Sequence, residues 1–520
     1  MMPPQDGTAT DRSMSVTTGA DDAGHDDTYL YLSPSSPRLD AQPRQEFQDF
    51  RPRRSFHAPQ DSLGGLSNFS DSTCHEDDGL CPPATYPDVF YDLDKTRSFR
   101  SLTALTPNRA TFEHRFRVTV DEERPPSPPS KGEPLHPPAI DPYDSSLPAL
   151  PLRERVVHFT WAWYTLTMST GGLSLLIISQ PHQFPSLQKI GLAVYIINLV
   201  FFVLVTTLLV TRFLLFPGTF KSSITHPREG FFVPTFFLSL ATIITSTQRY
   251  MVPSENDPSS ASPGLLWAIQ VAFWTYLILT TLVAIGQYSY VFAAHSYGLH
   301  TMMPTWILPI FPIMLSGTIA SVIAGTQPKD HAVAIITAGL TCQGLGLAVA
   351  SMMYAHMVGR LMQSGLPHRE HRPGLFMCVG PPAFTALAFL GLARSLPADF
   401  DHDMDGFLDT GMIRTMAIVG AGFLWALSFW WFGIAVIAVV LSPPKHFHLG
   451  WWAAVFPNTG FTLATISIGR AFQSEAVAWF GTAMSVVLVV VYLFVLASCG
   501  WAVWKQEIVY PGRDEDVADH

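Results

Sequence analysis

Three arginines stand at matched distances from three prolines. Arg394 is 13 residues beyond Pro381, Arg470 is 13 beyond Pro457, and Arg249 is 15 beyond Pro234. At ~1.5 Å of helical rise per residue, each pair is about 20 Å apart. If the three helices run parallel, the guanidiniums share one level. A ring of arginines at the mouth of a passage concentrates anions. The alternative is that each side chain reaches a lipid headgroup and does nothing more. Gln248 and Gln327 end neighbouring apolar runs at the same level. Behind the arginines lie hydroxyl and amide groups: Thr167, Ser169 and Thr170, then Thr242, then Asn458, Thr459 and Thr465. A carboxylate that loses water needs such donors, with a cation close by. The chemistry these residue types offer is binding and passage of an anion.

The elements that carry them are long and apolar. The chain of 520 residues is 48% hydrophobic and 14% charged, where a soluble protein carries roughly a quarter charged residues. Ten apolar windows are long enough to cross about 30 Å of hydrocarbon. They lie near 158–179, 190–215, 231–248, 264–292, 304–326, 332–358, 374–393, 413–441, 450–469 and 476–504. The odd-numbered windows resemble one another. Ala241-Thr242 and Ala464-Thr465 each follow a proline by seven and eight residues; Pro312 precedes Ala320-Ser321, and Pro381 precedes Ala388. A proline inside a membrane helix frees a carbonyl that protein, water or hydroxyls must satisfy, so these prolines predict bent helices with a wet centre. Several even windows are bulky and greasy, as lipid-facing helices are. The expected fold is an all-α membrane protein of ten transmembrane helices, arranged as five helical hairpins around a central axis. The sixth window, "AGLTCQGLGLAV", breaks the alternation by being small and glycine-rich, and a subunit contact is one reading of it.

Charge divides the chain. Residues 1–150 hold 14 Lys/Arg and 24 Asp/Glu, a net of −10; residues 151–520 hold 17 of each. Composition predicts a disordered, acidic, Pro-rich tail over 1–150, a ten-helix domain over 151–505, and a short C-terminal tail over 506–520. Ser55, Ser98 and Ser101 sit beside arginines and are candidate phosphorylation sites. No basic segment followed by an apolar run opens the chain, so no cleavable signal peptide is expected. An even number of spans puts both termini on one side. Ten basic residues flank spans there against six opposite, which favours cytoplasmic termini. The 17 acids of residues 151–520 are expected in loops or the C-terminal tail, not spans. Histidines 158, 295 and 356 then remain as titratable candidates for proton coupling. Cys74 and Cys81 in the tail, and Cys342, Cys378 and Cys499 in apolar runs, match no metal or disulfide spacing. No cofactor, metal or nucleic-acid partner is expected.

The stretches "HFTWAWYTLTMSTGG" (158–172) and "WWAAVFPNTGFTLA" (451–464) resemble the fungal malate permease group of the tellurite-resistance/dicarboxylate transporter family, to which the plant slow anion channels are related. The similarity runs over roughly residues 150–505. It implies a pore through five helical hairpins in each subunit, a homotrimer in the plasma membrane, and small anions as cargo: malate and other C4-dicarboxylates, or sulfite in a sister group. It also implies an aromatic gate on the ninth span. Phe456 is the matching position, with Phe461 in reserve, and ordinary packing is the competing role of either ring. His158 and Trp161 open the first motif and serve equally well as interfacial anchors.

A membrane-embedded enzyme would need acids or histidines clustered at membrane depth. "HREH" (368–371) is the dense group, and it reads as a solvated loop. A signalling receptor fits poorly with ten spans and an internal repeat.

Overall fold

The computed structural model describes residues 149–252, 262–397, 400, 409–511 and 513. Residues 1–148 of the acidic tail, with Ser55, Ser98, Ser101, Cys74 and Cys81, lie outside the described residues, as does most of the C-terminal tail. Every regular element described is helical. Among the described residues, ten α-helices of 13 residues or more follow one another. They are α1 (Tyr164–Ile178), α2 (Leu187–Leu215), α3 (Pro234–Met251), α4 (Pro263–Ala294), α5 (Phe311–Ile323), α6 (Lys329–Ser364), α7 (Gly380–Ser395), α8 (Thr410–Leu441), α9 (Phe456–Ala471) and α10 (Glu475–Lys505).

Among the described residues, seven elements are long and apolar enough to cross a membrane. Five are α2, α4, α6, α8 and α10; the other two are α3 and α7, each joined to the 3₁₀ segment that leads into it. Helices α1, α5 and α9 are shorter, with 15, 13 and 16 residues. The odd-numbered windows are thus composite rather than single bent helices. Segments Trp161–Trp163, Glu229–Phe232, Pro304–Ile307, Arg369–Val379 and Leu449–Ala454 are 3₁₀ turns, and an α-helix follows each.

The prolines account for this. Pro234, Pro312, Pro381 and Pro457 stand in the first turn of α3, α5, α7 and α9. There the missing N–H is one the helix leaves unbonded anyway, and the fixed φ suits a helix start. They begin helices where bends in mid-helix were expected. The hydroxyls and amide around them mend the join. Thr235 Oγ1 donates to Phe232 O at 2.6 Å, Thr385 Oγ1 to Pro381 O at 2.7 Å, Asn458 Nδ2 to Ala454 O at 2.9 Å and Thr459 Oγ1 to Val455 O at 3.1 Å.

Helices α1, α3, α5, α7 and α9 pack each against the next, and α9 closes back on α1. The even helices pack outside them. The most apolar windows of α2, α4, α6, α8 and α10 are 22–33% buried, against 61% for α3 and 78% for α7 with their 3₁₀ leads. Close approach of α1 to its neighbours depends on its double glycine. A Cβ on Gly171 would collide with the Thr242 hydroxyl, and one on Gly172 would lie 3.3 Å from the Phe456 ring.

The two ends of the helical unit meet. Leu150 N donates to Gln506 Oε1 at 3.0 Å, and Arg155 Nη2 to Val503 O at 2.7 Å. The same end holds an acid that the sequence reading put in a loop. Glu229 opens the Glu229–Met251 span and is buried. It accepts from Arg212 Nη1 at 2.6 Å and from Ser223 Oγ at 2.8 Å; Arg212 Nη1 also donates to Phe159 O at 2.8 Å. An acid is tolerated there because its partner is buried with it and both are hydrogen-bonded. Glu229→Ala is expected to destabilise the protein by about 3–5 kcal/mol, because Arg212 is left buried without a counter-charge. Thermal unfolding of the detergent-purified variant measures this, and an unchanged midpoint would show that the pair carries no net stability.

Candidate functional site

A cavity of about 370 Å³ lies between the five odd-numbered helices, and every one of them supplies wall. Helix α1 contributes Gly172, α3 Thr242 and Thr245, α5 Thr318 and Ser321, and α9 Thr459 and Ser467. Its mouth is basic. Arg249, Arg394 and Arg470 occupy the last turns of α3, α7 and α9, and all three line the cavity. The repeated proline-to-arginine distance therefore brings three guanidiniums to one chamber. A helix C-terminus favours a cation there in its own right, through its exposed carbonyls. Arg470 Nη2 donates to Ser179 O at 2.5 Å, which ties the end of α9 to the end of α1. Arg414, from the outer helix α8, is a fourth lining arginine that the sequence reading did not assign to the site; its Nε donates to Ala393 O at 3.3 Å. No Asp or Glu lines the cavity among the described residues.

The inner end of the cavity is aromatic. Phe456 and Phe384 line it. Their rings stack with centroids 5.0 Å apart, and Phe311 lies 6.1 Å from Phe456 and 5.8 Å from Phe384. All three rings are buried. Two of them rest on glycines that nothing larger could replace without moving the ring. A Cβ on Gly380 would sit 2.6 Å from Phe311 Cζ, and one on Gly460 2.6 Å from Phe384 Cε2. Phe456 and Phe311 are the first residues of α9 and α5, so the aromatic floor coincides with the helix starts that the prolines set.

Of the hydroxyl candidates, Thr242 and Thr459 line the cavity. The rest face elsewhere, each toward a structural partner. Thr167 Oγ1 lies 2.6 Å from Ser239 Oγ, and Thr170 Oγ1 3.0 Å from Tyr492 Oη. Ser169 points to Trp452 O at 3.5 Å, and Thr465 accepts from Trp425 Nε1 at 2.8 Å. Asn458 is occupied with Ala454 O, and Gln248 Nε2 donates to Thr326 Oγ1 at 3.1 Å, pinning the end of α3 to the turn after α5. Phe461 packs on Trp425 and Phe432, with centroids 5.4 and 5.8 Å away. His158 ends a half-buried 3₁₀ turn outside the cavity.

The sequence pattern of the voltage-dependent anion channel family fits residues 158–499, a stretch that takes in the cavity, its four arginines and its floor. The chain belongs to that family. A malic acid transport protein of Schizosaccharomyces pombe is 34% identical over 374 residues, 71% of this chain and 84% of the relative. A putative malic acid transport protein of the same yeast is 31% identical, with 71% of this chain and 85% of the relative covered. A sulfite efflux pump of Trichophyton rubrum is 27% identical, with 66% and 90% covered.

In this anion channel family member the "HREH" stretch is a joint, not a solvated loop. Glu370 accepts from Lys445 N at 3.1 Å and His446 N at 3.3 Å, and its Oε2 lies 3.4 Å from His448 Nε2. It thereby clamps the 3₁₀ segment that leads into α7 to the turn just ahead of the one that leads into α9. The described residues hold no His/Cys/Asp/Glu group suited to a metal ion.

Proposed function

We propose that this chain is a plasma-membrane permease for malate and related C4-dicarboxylate anions. In this reading the ten helices span the bilayer as five hairpins, both termini are cytoplasmic, and anions pass through a central pore in each subunit. The observation that carries it is the cavity walled by all five odd-numbered helices, basic at its mouth and aromatic at its floor. The positive ends of the α3, α5, α7 and α9 dipoles start near that floor, so an anion leaving the arginines would meet favourable potential further in. The similarity to malic acid transport proteins supports the choice of cargo. Sulfite is the second reading, and the fungal sulfite efflux pumps favour it. Current–voltage recordings from proteoliposomes with malate as the sole permeant anion test the proposal, and competition by succinate and sulfite ranks the two. No malate current beside a sulfite current would reverse the order.

A homotrimer is the assembly implied by the resemblance, and α6 offers a seam for it. Ala334, Thr337, Thr341, Gly344, Ala348, Ser351 and Ala355 recur at alternating steps of three and four and are all exposed. Such a stripe of small residues lets two helices approach closely in lipid. Replacing Gly344 and Ala348 together with leucine is expected to lower the oligomer mass seen by native mass spectrometry or light scattering. An unchanged mass would move the contact to another helix.

A further inference from the structure

We propose that the mouth of the cavity recognises a two-ended anion, with Arg249 as the residue that distinguishes a dicarboxylate from a singly charged anion. The inference rests on the dicarboxylate reading above and sharpens it. The four arginines are not evenly spread. Arg394 and Arg470 come from adjacent helices and are close enough for their charges to interact. Arg414 hydrogen-bonds the carbonyl of Ala393, next in sequence to Arg394. Three guanidiniums thus gather on the α7–α9 side. Arg249 belongs to α3, which packs between α1 and α5, so it faces the group from across the ring.

Like charges held together repel, and an anion among them relieves the repulsion. A single carboxylate, or a small inorganic anion, finds all it needs at the three-arginine side. It gains little from Arg249 across the chamber. A C4-dicarboxylate carries a second charged end. With one end held by Arg394, Arg414 and Arg470, the other is tethered inside the same cavity and meets Arg249 at high effective concentration. Thr242 and Thr245 of the same helix line the wall beside Arg249, but their hydroxyls donate to Ser239 O at 2.8 Å and Ala241 O at 2.7 Å, so the second end is met by the guanidinium of Arg249. No acid lines the cavity among the described residues.

The test compares succinate with succinamate, which has the same carbon skeleton with one carboxylate turned into a neutral amide. Binding to the detergent-purified full chain is read from ligand-induced shifts in thermal stability. The wild type is expected to bind succinate at least about tenfold more tightly than succinamate, as one more charge-assisted contact implies. Arg249→Gln should weaken succinate much more than succinamate and bring that ratio to within about twofold of unity, and the succinamate binding that persists shows that the variant is folded. Arg414→Gln should weaken both ligands alike. Equal loss of both ligands in Arg249→Gln, an unchanged ratio in it, or no discrimination by the wild type would each overturn the proposal. Malate uptake by proteoliposomes is measured in parallel. A wild type that prefers succinate in binding yet moves no malate would defeat the transport reading and leave this inference standing.

Discussion

Replacing Phe456 with alanine is expected to raise the basal anion conductance of the reconstituted protein by about tenfold or more, since apolar constrictions of this kind hold a passage shut by excluding water and ions. The ring is 1% exposed and lies stacked on Phe384 at the inner end of the cavity. Removing it leaves a gap beside the Phe311–Phe384 pair, whose rings meet edge to face at 5.8 Å and lie close against Gly380 and Gly460. Phe461→Ala is the matched control. That ring is equally buried but packs on Trp425 and Phe432, away from the cavity. It should cost stability, about 3–5 kcal/mol for a buried phenylalanine, and leave basal conductance unchanged. Currents from both variants in planar bilayers decide the matter. A silent Phe456→Ala, or a leaky Phe461→Ala, would dismiss the floor as a gate.

The repeat was legible in the sequence because it rests on backbone chemistry. Proline selects a helix start, and a fixed number of residues later the helix ends, where arginine suits its exposed carbonyls. That logic brought Arg249, Arg394 and Arg470 to one cavity. It did not reach Arg414, which enters from a helix whose greasy composition reads as lipid-facing. The floor left a trace that went unused. The dipeptide Phe-Pro occurs at 311–312 as well as at 456–457, and both phenylalanines open their helices. Faces were harder to read than levels. Thr242 and Thr465 stand equally far beyond their prolines, yet Thr242 lines the cavity and Thr465 meets Trp425. An offset fixes height along a helix; its rotation is set by packing against neighbours, which no single window contains. Glu229 escaped for a related reason. An acid just ahead of an apolar run looks solvated until Arg212, from a different helix, is brought beside it.

The mouth should act over distance as well as by contact, and Arg394 is the residue in which the effect is free of a structural tie. It has no hydrogen bond or acidic partner among the described residues, whereas Arg470 also holds the end of α1 through Ser179 O. Arg394→Ala therefore removes a charge and its contact with the anion but breaks no hydrogen bond among the described residues. Arg470→Ala removes charge together with an interhelical tie. Dicarboxylate flux through Arg394→Ala is expected to fall about tenfold at low ionic strength, the lower end of what a focused field contributes to encounter rates. The deficit should shrink as salt shortens the Debye length from ~30 Å at 0.01 M to ~10 Å at 0.1 M. Arg470→Ala should show the same salt-dependent loss plus a part that salt does not rescue, accompanied by a lower unfolding temperature. Flux measured in proteoliposomes across a salt series separates the two. If Arg394→Ala and the wild type carry equal flux at every ionic strength, the arginine is a lipid anchor, and the attraction of anions to the mouth must come from its other guanidiniums.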